Sequence, residues 1–363
     1  MIKKKILIAT GGSGGHVFPA YSLANYLISK NFSVQLTTDK RGFKYLKNYS
    51  HLNLIVSTSS PLIKKSPFKI LISISIIIFS ILRSCLFLIT NRPSIIFGMG
   101  GYSSFPICIA ASLLRIKFVI YENNLIIGKA NKYLLPFAEK ICVSYKEVEG
   151  IPAKYNDKIV EIGNIVREEI IYSKSKIEEN RFDRLKILVL GGSQAAKIFA
   201  EELPPIFLRL ADKGLNINVT QQCLEEQNNE LSQIYSESKI DHKIFNFTEK
   251  IFDYYAKTNL VITRSGASVL GELINVKIPF ISIPLPTSAD NHQYKNAEFY
   301  AKKGYGYLLE EKNIKNKLFD LINSIYEDKL SMQNLLHNQR HYSDKDVFKN
   351  LNIIIGKILN EKN

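Results

Sequence analysis

The chain has 363 residues, 46% hydrophobic and 22% charged, which excludes wholesale disorder and is long enough for two domains. Its four cysteines, Cys85, Cys108, Cys142 and Cys223, are scattered with no Cys-x-x-Cys pair, and read as small buried hydrophobes in a reducing compartment rather than a disulfide framework. The net charge of +15 fits an anionic partner and fits equally well a composition that places lysine on every surface.

The chain opens with MIKKKILIATGGSGGHVFPA. The three lysines precede only a short apolar run before the glycines, so a secretory signal core is not expected. Ile6–Ala9 reads as a short buried strand. Gly11, Gly12, Gly14 and Gly15 then surround Ser13, and His16 begins a segment whose apolar residues recur at helical spacing to Ser29. A strand, a glycine loop and a helix start together make a place for an anion, because helix N-termini carry unpaired N–H groups and glycine lets a ligand come close. As a dinucleotide fingerprint the loop is incomplete: Val17 stands at the third glycine position, although Asp39 falls about where a ribose-binding acid would.

Further strands are predicted at Ser33–Thr37, Ile95–Phe97, Phe118–Tyr121 and Ile141–Val143. Between the second and third lies Phe68 to Thr90, apolar almost all round as a helix, with Ser73, Ser80 and Ser84 as a narrow polar stripe and Arg83 as an interruption. It nearly qualifies as a span. The strand that follows must pair with strands before it, so we expect a helix with one side on the sheet and the other on a lipid surface, aided by Lys64, Lys65, Lys69 and Arg92. The glycine loop FGMGGYSSFP (Phe97–Pro106) and the polar loop YENNLIIGKANK (Tyr121–Lys132) each follow a strand. Ligands of open α/β sheets bind at that edge.

The pattern restarts at Lys186–Leu190, followed by Asn216–Thr220, Lys243–Phe245, Leu260–Thr263 and Phe280–Ile283. KILIATGGSGGH and KILVLGGSQAAK both run from a lysine through a strand into Gly-Gly-Ser and a helix. Strand–helix alternation that restarts halfway predicts two doubly wound α/β domains, with a boundary between Glu161 and Ile170. In the second half, TRSGASVLGELI (Thr263–Ile274) offers a helix N-terminus for a diphosphate. Glu272 within it is either a ribose ligand or a solvated helix acid. Asp290, Asn291, His292 and Gln293 supply sugar-type hydrogen-bonding groups, or a capping box, at another helix start.

Taken together and in order, Gly-Gly-Ser-Gly-Gly-His with Phe18-Pro19, Gly-Met-Gly-Gly-Tyr, Glu-Asn-Asn, Gly-Asn-x-Val-Arg, Gly-Gly-Ser-Gln, Arg-Ser-Gly-Ala and Asp-Asn-His-Gln resemble the MurG family, the bacterial UDP-N-acetylglucosamine:lipid I N-acetylglucosaminyltransferases. The resemblance runs from Ile6 to about Glu310. It implies the GT-B architecture, two Rossmann-like doubly wound domains facing across a cleft: an acceptor- and membrane-binding domain, 1–165, and a UDP-N-acetylglucosamine-binding domain, 166–345. A terminal helix of about 346–363 is implied to pack back on the first. The implied partners are UDP-N-acetylglucosamine, undecaprenyl-linked lipid I and the cytoplasmic face of the membrane, with the protein peripheral there and no nucleic acid.

Carried over by position, the resemblance places Ser13, Gly14 and Gly15 near the donor sugar and diphosphate, and Asn124 on the N-acetylglucosamine. It places Arg167 and Ser193 on donor phosphates and Thr248 near the uracil. Ala267, Ser268, Val269, Leu270, Gly271 and Glu272 would bind the nucleotide, with Glu272 on the ribose, and Gln293 would read sugar hydroxyls. His16, Tyr102 and Glu122 would face the acceptor. His16 is the first choice for general base, since a helix start disfavours imidazolium; Glu122 is the second, or an orienter of His16. The chain departs from the family pattern at Ala195, at Tyr121 and Asn123, and at Ser104-Phe105. No cofactor is implied. The one Asp-x-Asp, Asp344-Lys345-Asp346, reads as a helix cap rather than a metal site. A UDP-N-acetylglucosamine 2-epimerase, a galactolipid synthase and a non-catalytic nucleotide- or lipid-binding module are the alternatives. The first has no use for the apolar segment, the second matches Glu-Asn-Asn and Asp-Asn-His-Gln less well, and the third needs no base.

Overall fold

Strands buried on both faces of a parallel sheet read as near-continuous apolar runs, and those runs form the centres of two sheets in the computed structural model, which describes residues 3–57, 67–172, 184–192 and 196–360. The first sheet contains β1 (Lys5–Ala9), β2 (Ser33–Thr38), β3 (Leu54–Val56), β4 (Ile95–Gly98), β5 (Phe118–Glu122), β6 (Lys140–Val143) and β7 (Ile159–Glu161), in the order β3-β2-β1-β4-β5-β6-β7. The second contains β8 (Leu185–Leu190), β9 (Ile217–Gln222), β10 (Asp241–Phe245), β11 (Leu260–Thr263), β12 (Phe280–Ser282) and β13 (Tyr307–Leu308), in the order β10-β9-β8-β11-β12-β13. Every pairing is parallel. Two doubly wound, Rossmann-like sheets are therefore present, as the restart in the sequence predicts.

Three strands had no counterpart in the sequence reading, β3, β7 and β13, and all three are sheet edges. They are two or three residues long and partly exposed. An edge strand has one neighbour and one wet side, so it carries little of the apolar signal that marks a central one.

The two sheets share one topological device. After β3 the chain passes to the far side of β1 to form β4, and after β10 it passes to the far side of β8 to form β11. The crevice outside the strand ends at such a reversal is where open α/β sheets bind ligands. The reversals bring the glycine loop after β1 beside the one after β4, and the loop after β8 beside the one after β11.

The chain divides into a first unit, residues 1–167 with 344–363, and a second unit, residues 168–343. The terminal helix Val347–Asn360 belongs to the first. Its buried face, Val347, Phe348, Leu351, Ile354, Ile355 and Ile358, has helical spacing. Phe348 stacks on Tyr26 with ring centres 4.3 Å apart, and Asn352 donates to the Tyr26 hydroxyl. Asp344, buried, accepts from the Asn164 backbone N–H at 2.9 Å and from its side-chain amide at 3.1 Å. Gly163 (φ +95°) has no room for a side chain, because a Cβ there would run into the Asp344 carboxylate. The Asp-x-Asp is therefore a clasp for the returning chain.

The core of the second unit is built on Phe199, Leu203, Phe207 and Leu210 of the helix Lys197–Asp212, packed on β8 and β9. Cys108, Cys142 and Cys223 are buried, and Cys85 is partly so. Burial pushes the Cys142 thiol up to about 12 and raises Cys108 further, so neither is a nucleophile near neutral pH.

The helix Pro67–Asn91 departs from the expected orientation. Its serine stripe is the buried side: Ser73, Ser80 and Ser84 are covered, and its main neighbour is the helix Ser104–Leu113 rather than the sheet. Small side chains permit that close approach. Ser80 and Ser84 satisfy their hydroxyls on the carbonyls of Ile76 and Ser80, each at 2.7 Å. The opposite side exposes Phe68, Leu71, Ile78, Phe79, Leu82, Leu86 and Ile89. Lys64 and Lys65 lie outside the described residues, as does the side chain of Lys69.

Candidate active site

In the first unit the glycine loop after β1 is pinned from three neighbouring strand ends. The Asp39 carboxylate, after β2, accepts from the Gly12 N–H at 3.1 Å while also capping the helix Lys40–Leu46 through Gly42 N–H at 2.8 Å. The Ser103 hydroxyl, in the loop after β4, donates to the Thr10 carbonyl at 2.6 Å. The Asn123 side-chain amide, after β5, donates to the Gly15 carbonyl at 2.9 Å. The anion that meets the Gly12 amide is the protein's own carboxylate, and a phosphate cannot use that amide.

So held, the loop delivers His16 as the third residue of the helix Gly14–Ser29, for which Ser13 is the N-cap. The His16 ring lies against Gly100 (φ +85°). A Cβ there would stand 2.8 Å from His16 Nδ1 and 2.9 Å from Cε1, so the second glycine loop is glycine where the imidazole needs its space. Tyr102, in the same loop, is exposed. Arg167 lies over the Phe18 ring at 5.8 Å, one turn of helix or less from His16.

Glu122 ends β5 and is buried, with both carboxylate oxygens in use. Oε1 accepts from the Asn124 N–H at 3.1 Å and the Asn124 side-chain amide at 2.8 Å. Oε2 accepts from the Gly128 N–H at 2.9 Å and the Asn131 side-chain amide at 3.0 Å. A carboxylate saturated by four donors shapes a loop. Four donors on one carboxylate favour a structural role for Glu122 over that of the alternative base. Beside it Tyr121 bonds Ser144 at 2.9 Å and accepts from the Ile165 N–H at 3.0 Å, and burial raises its phenol above the usual range.

In the second unit Gly266 caps the helix Ala267–Val276 without a side chain to satisfy its first amides. Leu270, Gly271 and Glu272 are buried along it, with Ser268 and Val269 partly exposed. Glu272 is not a solvated acid: it is covered, and Oε2 accepts from the Tyr255 hydroxyl at 2.9 Å. Gln293 Oε1 accepts from the Leu285 N–H at 2.9 Å, which sets the loop after β12. Asp290 and Asn291 take left-handed conformations (φ +51° and +56°), and the N-cap Asn291 makes no side-chain cap bond, so this helix start is not a capping box. Thr248 lies in the loop after β10, where its hydroxyl accepts from the Lys250 N–H at 3.0 Å. Ser193 and Ala195 lie outside the described residues. Among the described residues no group of three or more His, Cys, Asp or Glu side chains comes together as a metal site.

The sequence reading missed Asp39 as a loop anchor, and it gave no role to Ser103, Tyr255, Arg264 or Glu311. Asp39 had a readable signal, an Asp three residues before Gly42 at a helix start. The others act across long separations and had none.

Two Rossmann-like domains, each with glycine loops at a strand reversal, are the frame on which the chain's family matches place it among the glycosyltransferases. Residues 6–143 match the glycosyltransferase family 28 N-terminal domain and residues 186–351 its C-terminal domain. A protein of Pelagibacter ubique (strain HTCC1062), named UDP-N-acetylglucosamine--N-acetylmuramyl-(pentapeptide) pyrophosphoryl-undecaprenol N-acetylglucosamine transferase, is 35% identical over 99% of this chain and 100% of its own length. A Rickettsia felis protein of the same name is 37% identical over 93% of this chain and 96% of its own. Among solved structures, Acinetobacter baumannii MurG superposes with a TM-score of 0.77 at 22% identity, covering 98% of this chain and 99% of that one. A Staphylococcus aureus MnaA–UDP structure superposes at 0.68 and 15% identity, with 98% and 97% covered, and shares the fold. The chain belongs to glycosyltransferase family 28.

Proposed function

We propose that the protein transfers N-acetylglucosamine from UDP-N-acetylglucosamine to the C4 hydroxyl of the muramoyl sugar of lipid I, forming lipid II. The observation that carries this reading is identity of 35% across the whole chain to a relative named for that transfer. The donor linkage is α and the product β, so the anomeric carbon inverts in one displacement. His16 takes the proton from the C4 hydroxyl as its oxygen attacks the anomeric carbon, and UDP leaves with the electron pair of the broken bond. The growing diphosphate charge is met by Arg167, by Ser193 and by the N-terminus of the helix Ala267–Val276. Asn124 holds the donor sugar, with the Ser13-Gly14-Gly15 backbone close to it. Gln293 reads its hydroxyls through the side-chain NH2, its oxygen being committed to Leu285. Thr248 borders the uracil, and Tyr102 is on the acceptor side. Transfer of radiolabel from UDP-N-acetylglucosamine onto a lipid I analogue tests the reaction. Epimerisation of the donor with no transfer would reject it.

Glu272 holds the ribose diol. Its carboxylate is buried, and the Tyr255 hydroxyl orients it through Oε2. Glu272→Ala should weaken UDP binding by about 1.5–3 kcal/mol, the scale of hydrogen bonds to a charged group. A 2′-deoxy donor should lose comparably with wild type and little more with the variant. Equal binding of the two donors by wild type would refute the role.

The protein works as a peripheral protein on the cytoplasmic face of the cell membrane. The helix Pro67–Asn91 is long and apolar enough to cross a bilayer. It nevertheless joins β3 to β4 in a single sheet, and β4 pairs directly with β1, so a crossing would pull that sheet apart. The helix instead lies in the interface with Phe79, Leu82 and Leu86 in lipid. Binding to anionic vesicles should weaken with salt, and Leu82→Ser/Leu86→Ser should reduce it at least about tenfold, given about 1.5–3 kcal/mol for burying each leucine. Resistance to both high salt and alkaline carbonate would overturn the peripheral reading.

A further inference from the structure

Arg264 directly follows β11 and is almost wholly buried. Its guanidinium stacks on Phe199, with Cζ 4.7 Å from the ring centre, and Phe199 lies just inside the helix after β8. Nη1 donates to the carbonyls of Ile283 and Pro284, in the loop after β12, each at 3.4 Å. Nη2 pairs with Glu311, in the 3₁₀ turn after β13, and the pair is largely shielded from water. From its own place after β11, this one side chain touches the segments that follow β8, β12 and β13, and the four strands are adjacent in the second sheet. The segments after β11 and β12 carry the N-terminus of the helix Ala267–Val276 and Gln293.

Of the side chains, a planar fork with five donors is the one able to stack, bind two carbonyls and hold a carboxylate at once. Glu311 consumes its charge. We propose, resting on the donor reading above, that the Arg264–Glu311 pair positions the donor loops against one another and so sets affinity for the nucleotide diphosphate without touching it. A misplacement of about 1 Å caused by a remote residue costs up to about a hundredfold in rate, and the loss expected in binding is taken to be of that order.

The test is UDP binding by calorimetry to the full-length wild type, Arg264→Met, Glu311→Gln and the double variant, with acceptor KM measured alongside. Methionine keeps the packing on Phe199 and removes the fork. Each single variant should bind UDP about tenfold to a hundredfold more weakly. The double variant should be no worse than Arg264→Met, and acceptor KM should be unchanged in all. Arg264→Lys, which keeps the pairing with Glu311 but not the two carbonyls, should fall between wild type and Arg264→Met. Circular dichroism at the assay temperature separates positioning from unfolding. A loss of affinity that disappears once each variant is measured fully folded overturns the inference. If Glu311→Gln binds UDP as tightly as wild type or more tightly, Arg264 is a phosphate ligand restrained by Glu311, which also overturns it. A wild type that binds no UDP rejects the donor reading and this inference with it. Wild-type binding with indifferent variants rejects this inference alone.

Discussion

His16→Ala should lower kcat by about 10²-fold or more, up to the 10⁴-fold that positioned base catalysis contributes, with KM for UDP-N-acetylglucosamine little changed. The separation follows from where the residue sits. His16 is the third residue of the helix Gly14–Ser29, and its ring lies on the backbone of Gly100 in the first unit, whereas Glu272, Gln293 and the helix Ala267–Val276 belong to the second. The loop that presents it is fixed by Asp39, Ser103 and Asn123 through backbone atoms of Gly12, Thr10 and Gly15. None of those bonds involves the imidazole, so the loop should survive the substitution and the loss should fall on the chemical step. Steady-state kinetics with a lipid I analogue decide it. Turnover near the wild-type rate would remove His16 from the mechanism.

Glu122→Ala should destabilise the first unit by about 3–5 kcal/mol, among the largest effects of a single substitution. It strands four donors, the N–H groups of Asn124 and Gly128 and the side-chain amides of Asn124 and Asn131. A buried group left unsatisfied costs about 1–3 kcal/mol, and the four do not add in full because the emptied site admits water. Glu122→Gln is the sharper variant. It keeps the shape but turns one acceptor into a donor, and an NH2 set against other donors costs about 1–3 kcal/mol. Urea unfolding followed by hydrogen exchange in the loop 123–128 measures both. A true base would behave in the opposite way, with Glu122→Gln as stable as wild type and devoid of turnover. Stability equal to wild type in Glu122→Ala would sink the structural role.

The two carboxylates the sequence singled out illustrate how far a one-dimensional reading reaches. Glu122 and Glu272 both stand at positions where a ligand role is expected. Their partners differ. Glu272 accepts from Tyr255, seventeen residues earlier in the chain. Glu122 is enclosed by residues within nine positions of itself, yet only the turn taken by 123–131 directs their donors inward. Residue identity alone does not distinguish a carboxylate offered to a ligand from one consumed by a loop.

By itself the sequence determined the central strands of both sheets, the restart that makes two domains, and the glycine loops at their reversals. These rest on local causes: continuous apolar runs for strands buried on both faces, and glycine where backbone must pass close to a ring or a ligand. Tertiary structure alone decided the edge strands β3, β7 and β13, the inward turn of Ser73, Ser80 and Ser84, and the joining of Asp39 to Gly12, Asp344 to Asn164 and Arg264 to Glu311. The reason is the same in each case. An edge strand, a helix face or a buried polar pair is stabilised by what lies across from it, and a partner 27, 47 or 180 residues away leaves no mark on the local pattern.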